Sequence, residues 1–361
     1  MSRTRGPRTT KHGGMRTGVV ALPPGYHSNR RHLVRPVRVD PNGVIGPTRA
    51  QARGRYWHRT SHGMYVPSWV DSTQPEQRIV EAGAVLPAYG AVTGWAALRW
   101  LGGRWFEGRR QDGSLLPVTL ATTHIRPQPG IAISEERMNE YEVIALDGLV
   151  ITRALRSTLF EMRYVPTWWD AVIVADMAAF NDLVALGELW PYALAHAGMT
   201  GIPQARDAIA HADENSWSPM EVVMRLIWTC TAGMPRPLMN RPVFDLQGRH
   251  VGTPDLLDSE AGVYGEYDSE LHLDGRRRLK DLTREEAFRR LGLEPVTMVT
   301  GQSRDEVAAR IVAAYERAMR GRGPRLWTIE QPAWWIPTET VAQRRALAEV
   351  QRVRLLARRT A

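Results

Sequence analysis

The chain has almost no cysteine and almost no lysine. Cys230 stands alone among 361 residues, which excludes an intrachain disulfide and any cysteine-rich zinc site. Of the 47 basic residues only Lys11 and Lys280 are lysines, so schemes that run through a catalytic lysine have few candidates. No run of about 18 or more uncharged apolar residues occurs, so no membrane-spanning helix is expected. The N-terminus is basic but lacks the apolar core and small-residue cleavage site of a secretory signal, and a cytoplasmic protein is the expectation.

What is present is unevenly placed charge. At 361 residues the chain exceeds one ordinary core, and its 43% apolar and 24% charged content is that of a globular protein, so two or more domains are expected. The formal net charge is +9. Residues 1–60 hold 13 basic side chains against the single acid Asp40, and residues 317–361 hold 10 arginines against Glu330, Glu339 and Glu349. The ends therefore carry +12 and +7 around a middle of −10. Basic ends suit a protein that grips a polyanion; a solvated charged face is the other reading of the same residues.

Pattern divides the chain into a disordered basic tail over 1–28, an N-terminal module over 29–200, a second module over 201–320 and a Trp/Arg-rich extension over 321–361. In the first module Thr48–Arg53 makes one helical turn or two. A hairpin follows from Arg55–Thr60 to Gly63–Pro67, turning at Ser61-His62-Gly63. A helix before a basic, aromatic hairpin is compatible with a small, degenerate winged helix, in which Arg53, Arg55, His58 and Arg59 would meet DNA. Apolar spacing predicts helices over 75–87, 91–101, 155–163, 167–179 and 181–196, with strands over 117–121, 131–133 and 141–152. This is a mixed α/β or α+β module.

In the second module a short helix over 203–211 precedes a stronger one that opens at Ser218-Pro219-Met220-Glu221 and runs to about Ala232. Strands at 242–246, 249–257 and 262–268, a helix over 281–291, a strand over 295–300 and a helix over 303–320 complete the order α-β-β-β-α-β-α. Such an order builds a sheet with helices on its faces. The extension ends in a basic helix over 338–359. Its Val341, Leu347, Val350 and Leu355 would dock on the body while Arg344, Arg345, Arg352, Arg354, Arg358 and Arg359 face outward. Arg344 and Arg345 are the candidate phosphate contacts.

The densest chemistry lies in Gly252-Thr253-Pro254-Asp255, Gly265-Glu266-Tyr267-Asp268 and His272. Alternation along a strand puts Glu266 and Asp268 on one face, and Asp255 on the neighbouring strand would converge with them. Carboxylates brought that close either bind a cation or raise a pKa, and hard divalent ions take oxygen ligands of this kind. Asp255, Glu266 and Asp268 are the candidate ligands of Mg²⁺ or Mn²⁺, and His272 is the candidate proton carrier. The competing reading makes these acids surface turn residues paired with Arg276–Arg278. Ser218 as N-cap, Pro219 at N1 and Glu221 at N3 spell a capping box, which assigns Glu221 to the helix cap.

These motifs resemble the PD-(D/E)XK nuclease superfamily, in its very-short-patch-repair-like (Vsr-like) branch, over about residues 216–320. The resemblance rests on Ser218-Pro219-Met220-Glu221, Pro254-Asp255, Glu266-Tyr267-Asp268-Ser269 with His272, and Asp281-Leu282-Thr283-Arg284. It implies a restriction-endonuclease-like core and a catalytic role for Asp255, Glu266, Asp268, His272 and Glu221. The superfamily lysine is Asp268 here, which leaves the proton chemistry to His272, and the glycine after the acidic motif is Ser269. Upstream, Gly63–Pro67 and Val92-Thr93-Gly94-Trp95-Ala96-Ala97-Leu98 resemble AbiEi-type antitoxin regions. The function expected from all of this is a DNA-binding, Mg²⁺-dependent endonuclease, with a non-catalytic DNA-binding regulator or antitoxin as the alternative. A second copy of the chain or a toxin–antitoxin partner is the expected assembly.

Overall fold

The computed structural model describes residue 30 and residues 32–110, 112–268, 284–321 and 323–360. The basic tail expected over 1–28 lies outside them. The architecture is mixed α/β, with strands in four sheets. Among the described residues no helix is long and apolar enough to cross a membrane.

The N-terminal module opens with a three-stranded antiparallel sheet in which Met64–Pro67 lies between Val37–Arg38 and Trp57–Ser61. The expected hairpin is therefore present, but among the described residues no α-helix precedes it as a winged helix would require. Before the hairpin stands the three-residue 3-10 turn Gln51–Arg53, ended by an extended Gly54. The residues upstream are folded into a loop by Asp40, whose carboxylate accepts the N–H groups of Asn42, Val44 and Ile45 at 2.8–3.0 Å. Side-chain bonds of that kind compete with a helix for the backbone donors.

A five-stranded sheet follows, in the order Ile131–Ser134, Val118–Ala121, Ala91–Thr93, Leu149–Thr152, Val143–Leu146. The helix expected over 91–101 divides here into the strand Ala91–Thr93 and the helix Gly94–Trp100. Gly94 turns the corner at φ +66°, and a Cβ there would strike the Glu161 carboxylate, which accepts the Trp95 N–H at 2.6 Å. Only glycine adopts that conformation with so little room. Helices Ala154–Tyr164, Trp168–Phe180, Leu186–Ala195 and Ile202–His211 then stack behind the sheet.

The helix Ile202–His211, expected in the second module, thus packs with the helices of the first, and the helix Pro219–Leu226 follows it, its last turns widening into a π-helix over Ile227–Thr231. Its sheet has four strands, ordered Glu294–Val299, Val263–Asp268, Leu256–Asp258, Leu238–Met239, and only the first pair is parallel. The helix Arg304–Arg320 and the Pro219–Leu226 helix cover one face, where Gly265 admits Met224 and Trp228 so closely that a Cβ would strike Met224. Residues 284–290, also helical, cover the other through Phe288, which packs on Tyr264 and Leu257. The single strand expected over 249–257 is two strands in two sheets. His250–Gly252 pairs with Val243–Asp245, which pairs in turn with Trp327–Thr328, while Leu256–Asp258 joins the main sheet. Thr253-Pro254 makes the crossing, because proline has no N–H to continue a ladder. One apolar cluster runs from Leu33 to Ala314, so both modules share a core.

The tail corrects the expectation most. The helix foreseen over 338–359 is broken into Val341–Arg345, Glu349–Leu356 and a 3-10 turn over Ala357–Thr360. Arg344, expected to face outward toward DNA, is fully buried: it binds Asp182 Oδ1 at 2.6 Å and the carbonyls of Ala179, Glu214, Thr338 and Glu339. Arg352 reaches the same carboxylate at 3.0 Å. In a straight helix those residues stand roughly 12 Å apart along the axis, so convergence on one acid favours the break. Arg345 binds Glu188 at 2.7 Å and the carbonyls of Asp182 and Leu183, and Arg359 is buried over the Phe180 ring. The Arg358 side chain lies outside the described residues. Arg344→Ala, which leaves Asp182 with Arg352 alone and takes the shared donor from four carbonyls, is expected to cost about 3–5 kcal/mol in urea unfolding, whereas an exposed arginine such as Arg354 is expected to cost less than about 0.5 kcal/mol.

Candidate active site

The strand Val263–Asp268 pairs along its whole length with Glu294–Val299, but with Leu256–Asp258 only over Val263–Gly265. Glu266, Tyr267 and Asp268 therefore run past their antiparallel neighbour. Asp255 stands at that step, next to Leu256 and level with Glu266. Its Oδ2 accepts the Tyr267 N–H at 2.8 Å, supplying the acceptor that a longer ladder would have offered. Its backbone carbonyl accepts the Asn240 N–H at 2.8 Å, continuing the ladder on the other side.

Alternation sends Tyr264, Glu266 and Asp268 to one face. Glu266 accepts Arg284 Nη2 at 3.2 Å there, and Asp268 is exposed at the strand's end. Arg284 is the last residue of the Asp281-Leu282-Thr283-Arg284 run; His272, Ser269, Arg276–Arg278 and the first three residues of that run lie outside the described residues.

Glu221 comes to Asp255 from a helix N-terminus. Ser218 Oγ accepts the Glu221 N–H at 3.2 Å, so half of the expected capping box is formed. The other half is not, because the Glu221 carboxylate accepts from Trp217 N at 2.8 Å, one residue upstream of Ser218, and from Asn240 Nδ2 at 2.6 Å. Glu221 is only 6% exposed. Burial first, and then the charge of Asp255, pushes its carboxyl up to about 8. The fold thus exposes a buried carboxyl to the charge of Asp255, and both effects favour its neutral form.

The residues that hold this arrangement were not singled out in the sequence. Asn240 bonds Asp255 through its backbone and Glu221 through its side chain, and its Nδ2 also reaches the Asn215 carbonyl at 2.8 Å. It adopts φ +44°, a conformation that asparagine tolerates better than most residues. Asn215 returns bonds to the carbonyls of Met239 and Asn240. Behind them, the fully buried Asp176 binds Arg225 at 2.6 Å, Ser216 Oγ at 2.7 Å and the Asp213 N–H at 2.8 Å, fixing the segment that delivers Glu221. Burial pushes the Asp176 carboxyl up to about 7. A lone acid inside the apolar run Ala171–Phe180 was the available signal.

The proposed DNA contacts in the hairpin are divided. Arg53, Arg55 and Arg59 are exposed, with Arg55 stacked on the exposed Tyr56 ring at 4.9 Å. His58 is half-buried and turned to Ser72 Oγ at 2.8 Å.

Comparison of the chain with family models, with curated proteins and with solved structures finds no match. Among the described residues no group of three or more His, Cys, Asp and Glu side chains is close enough to hold a metal ion. The donor set nonetheless fits a hard cation in kind, since carboxylate oxygens are the ligands such ions take and a cation, like a proton, would relieve the effect of Asp255 on Glu221.

The sign of the resulting pH dependence is fixed. Glu221 has a folded pKa above its ordinary 4.5, so its contribution to stability is fully present below about 4.5 and is lost as pH rises through about 8. Asp176 and Glu161, each raised to about 7, act in the same direction. Asp255→Asn removes the repulsion on Glu221 alone. Denaturant melts are therefore expected to show stability falling from pH 5 to pH 8 in the natural protein, and falling less steeply in the variant.

Proposed function

We propose that the chain is a DNA-binding protein whose second module is a cation-dependent phosphodiester hydrolase. The observation that carries this reading is the placement of Glu221 against Asp255 at the overhang that also bears Glu266 and Asp268. Asp255 and Glu266 would hold Mg²⁺ or Mn²⁺, with Asp268 beside them. Such an ion supplies Lewis-acid polarisation of a phosphate oxygen and a more acidic water.

The chain's own residues have definite tasks. Asn240 holds the Glu221 carboxylate and the backbone of Asp255 in one frame. Tyr267 N–H fixes the rotamer of Asp255. Arg284, paired with Glu266 at 3.2 Å, would be the phosphate contact of this site if Glu266 held a cation. His272 remains the proposed proton carrier. Arg53, Arg55 and Arg59 are the exposed charges proposed to contact the DNA backbone from the hairpin.

A specific observation favours the alternative, a DNA-binding regulator or antitoxin that keeps the scaffold without the chemistry. Glu266 is already matched by Arg284, a cation the chain itself provides. The readings separate in one assay. A hydrolase is expected to nick supercoiled plasmid in Mg²⁺ or Mn²⁺ but not in EDTA. Asp255→Ala is expected to lower that rate at least about a hundredfold, within the range ascribed to one group stabilising a transition state, without loss of the folded circular dichroism spectrum. A regulator binds duplex with or without metal and leaves plasmid intact. For either, Arg55→Ala with Arg59→Ala is expected to weaken binding and to flatten its salt dependence.

A further inference from the structure

Away from the acidic site, a cleft of about 270 Å³ opens between the hairpin, the helix Pro75–Gly83, the segment 115–117 and the start of the strand Ile131–Ser134. Its walls are mostly apolar, with Leu115, Leu116 and Ile131 prominent, yet Glu81 and Arg78 both line it. Each is only 8% exposed. Opposite charges buried side by side ordinarily close on one another. These do not.

Arg78 is instead held to the wall. Its Nη1 donates to the Gly108 carbonyl at 3.0 Å, its Nη2 donates to the Leu116 carbonyl, and its plane lies 5.0 Å from the Trp95 ring centroid. The rest of its donors are uncommitted among the described residues. Glu81 uses one oxygen only: Oε1 accepts from Ser72 Oγ at 2.6 Å and from Gln77 Nε2 at 2.9 Å. His58 Nε2 lies 2.8 Å from the same Ser72 Oγ, so the hydroxyl that Glu81 accepts is itself anchored. Oε2 makes no hydrogen bond among the described residues.

The cleft thus presents a fixed cation and a fixed anion, held apart on an apolar wall. We propose that it binds a free α-amino acid with an apolar side chain, the carboxylate against Arg78, the ammonium against Glu81 Oε2, and the side chain among Leu115, Leu116 and Ile131. A zwitterion satisfies both charges at once, whereas a simple anion leaves Glu81 unmatched and a simple cation leaves Arg78 unmatched. Burial raises the Glu81 carboxyl above its ordinary range while Ser72, Gln77, His58 and Arg78 pull it back. An ammonium group at Oε2 adds to that pull. Burial first, and then the charge of Arg109, disfavours the Arg78 cation, and a bound carboxylate would offset both.

The test is isothermal titration calorimetry of the full chain with L-leucine, L-methionine and L-valine, set against leucinamide and 4-methylpentanoate, which each lack one charge. At least one amino acid is expected to bind, with its single-charge analogues about tenfold or more weaker, the loss expected for one charge-assisted hydrogen bond. Glu81→Gln keeps the Ser72 contact and is expected to weaken the amino acid by a similar factor. Leu115→Trp, at a partly exposed position, is expected to block the cleft without unfolding the chain. Absence of binding by all three amino acids, equal binding of the single-charge analogues, or undiminished binding by both variants would overturn the proposal.

Discussion

Asn240 ties Glu221 and Asp255 into one frame, and the charge of Asp255 acts on the buried Glu221 carboxyl. Asn240 bonds both, Asn215 bonds Asn240, and the buried Asp176–Arg225 pair fixes the segment from which Glu221 projects. Burying a carboxylate beside the charge of a second one is unfavourable, and it pushes the Glu221 carboxyl up to about 8. A fold needs no such arrangement for stability, because an amide at either position would bond the same donors. The tension lies where the strand Val263–Asp268 leaves its partner and its last acids meet solvent. Local unfavourable placement of this kind is common where a protein does chemistry, and it carries the functional proposal.

The arginines divide in a way that net charge does not reveal. Arg344 and Arg225 are fully buried, Arg163 and Arg156 nearly so, and each is matched by a carboxylate inside the protein. The C-terminal arginines serve in part to clamp the extension onto Asp182 and Glu188. Positive charge at the end of the chain is therefore partly internal mortar. Other arginines do face solvent: among the described residues Arg53, Arg55 and Arg59 on the hairpin and Arg325 and Arg354 in the extension are exposed.

Much of the fold was legible where periodicity is strong. Helices over Trp168–Phe180, Ile202–His211 and Arg304–Arg320, and the strands Val118–Ala121 and Val263–Asp268, follow from apolar spacing and agree with the expectation within a few residues. The misses have local causes. Gly94 hid a strand-to-helix corner inside one apolar run, Thr253-Pro254 hid a change of sheet inside another, and the Asp182 carboxylate bent a helix whose arginines looked solvent-facing. At the candidate site the acids were readable because charged residues interrupt strands. Asn240 and Asn215 were not, because an asparagine that organises a site and one that ends a turn look alike in sequence.

The Glu221–Asp255 contact is open to direct measurement. Infrared spectra of the full chain at pH 7, with Glu221→Gln as reference, are predicted to contain a protonated carboxyl band that the variant lacks, that fades as pH rises through about 8, and that Mg²⁺ discharges at constant pH. A Glu221 that is already ionised at pH 7 in the metal-free protein would contradict the account.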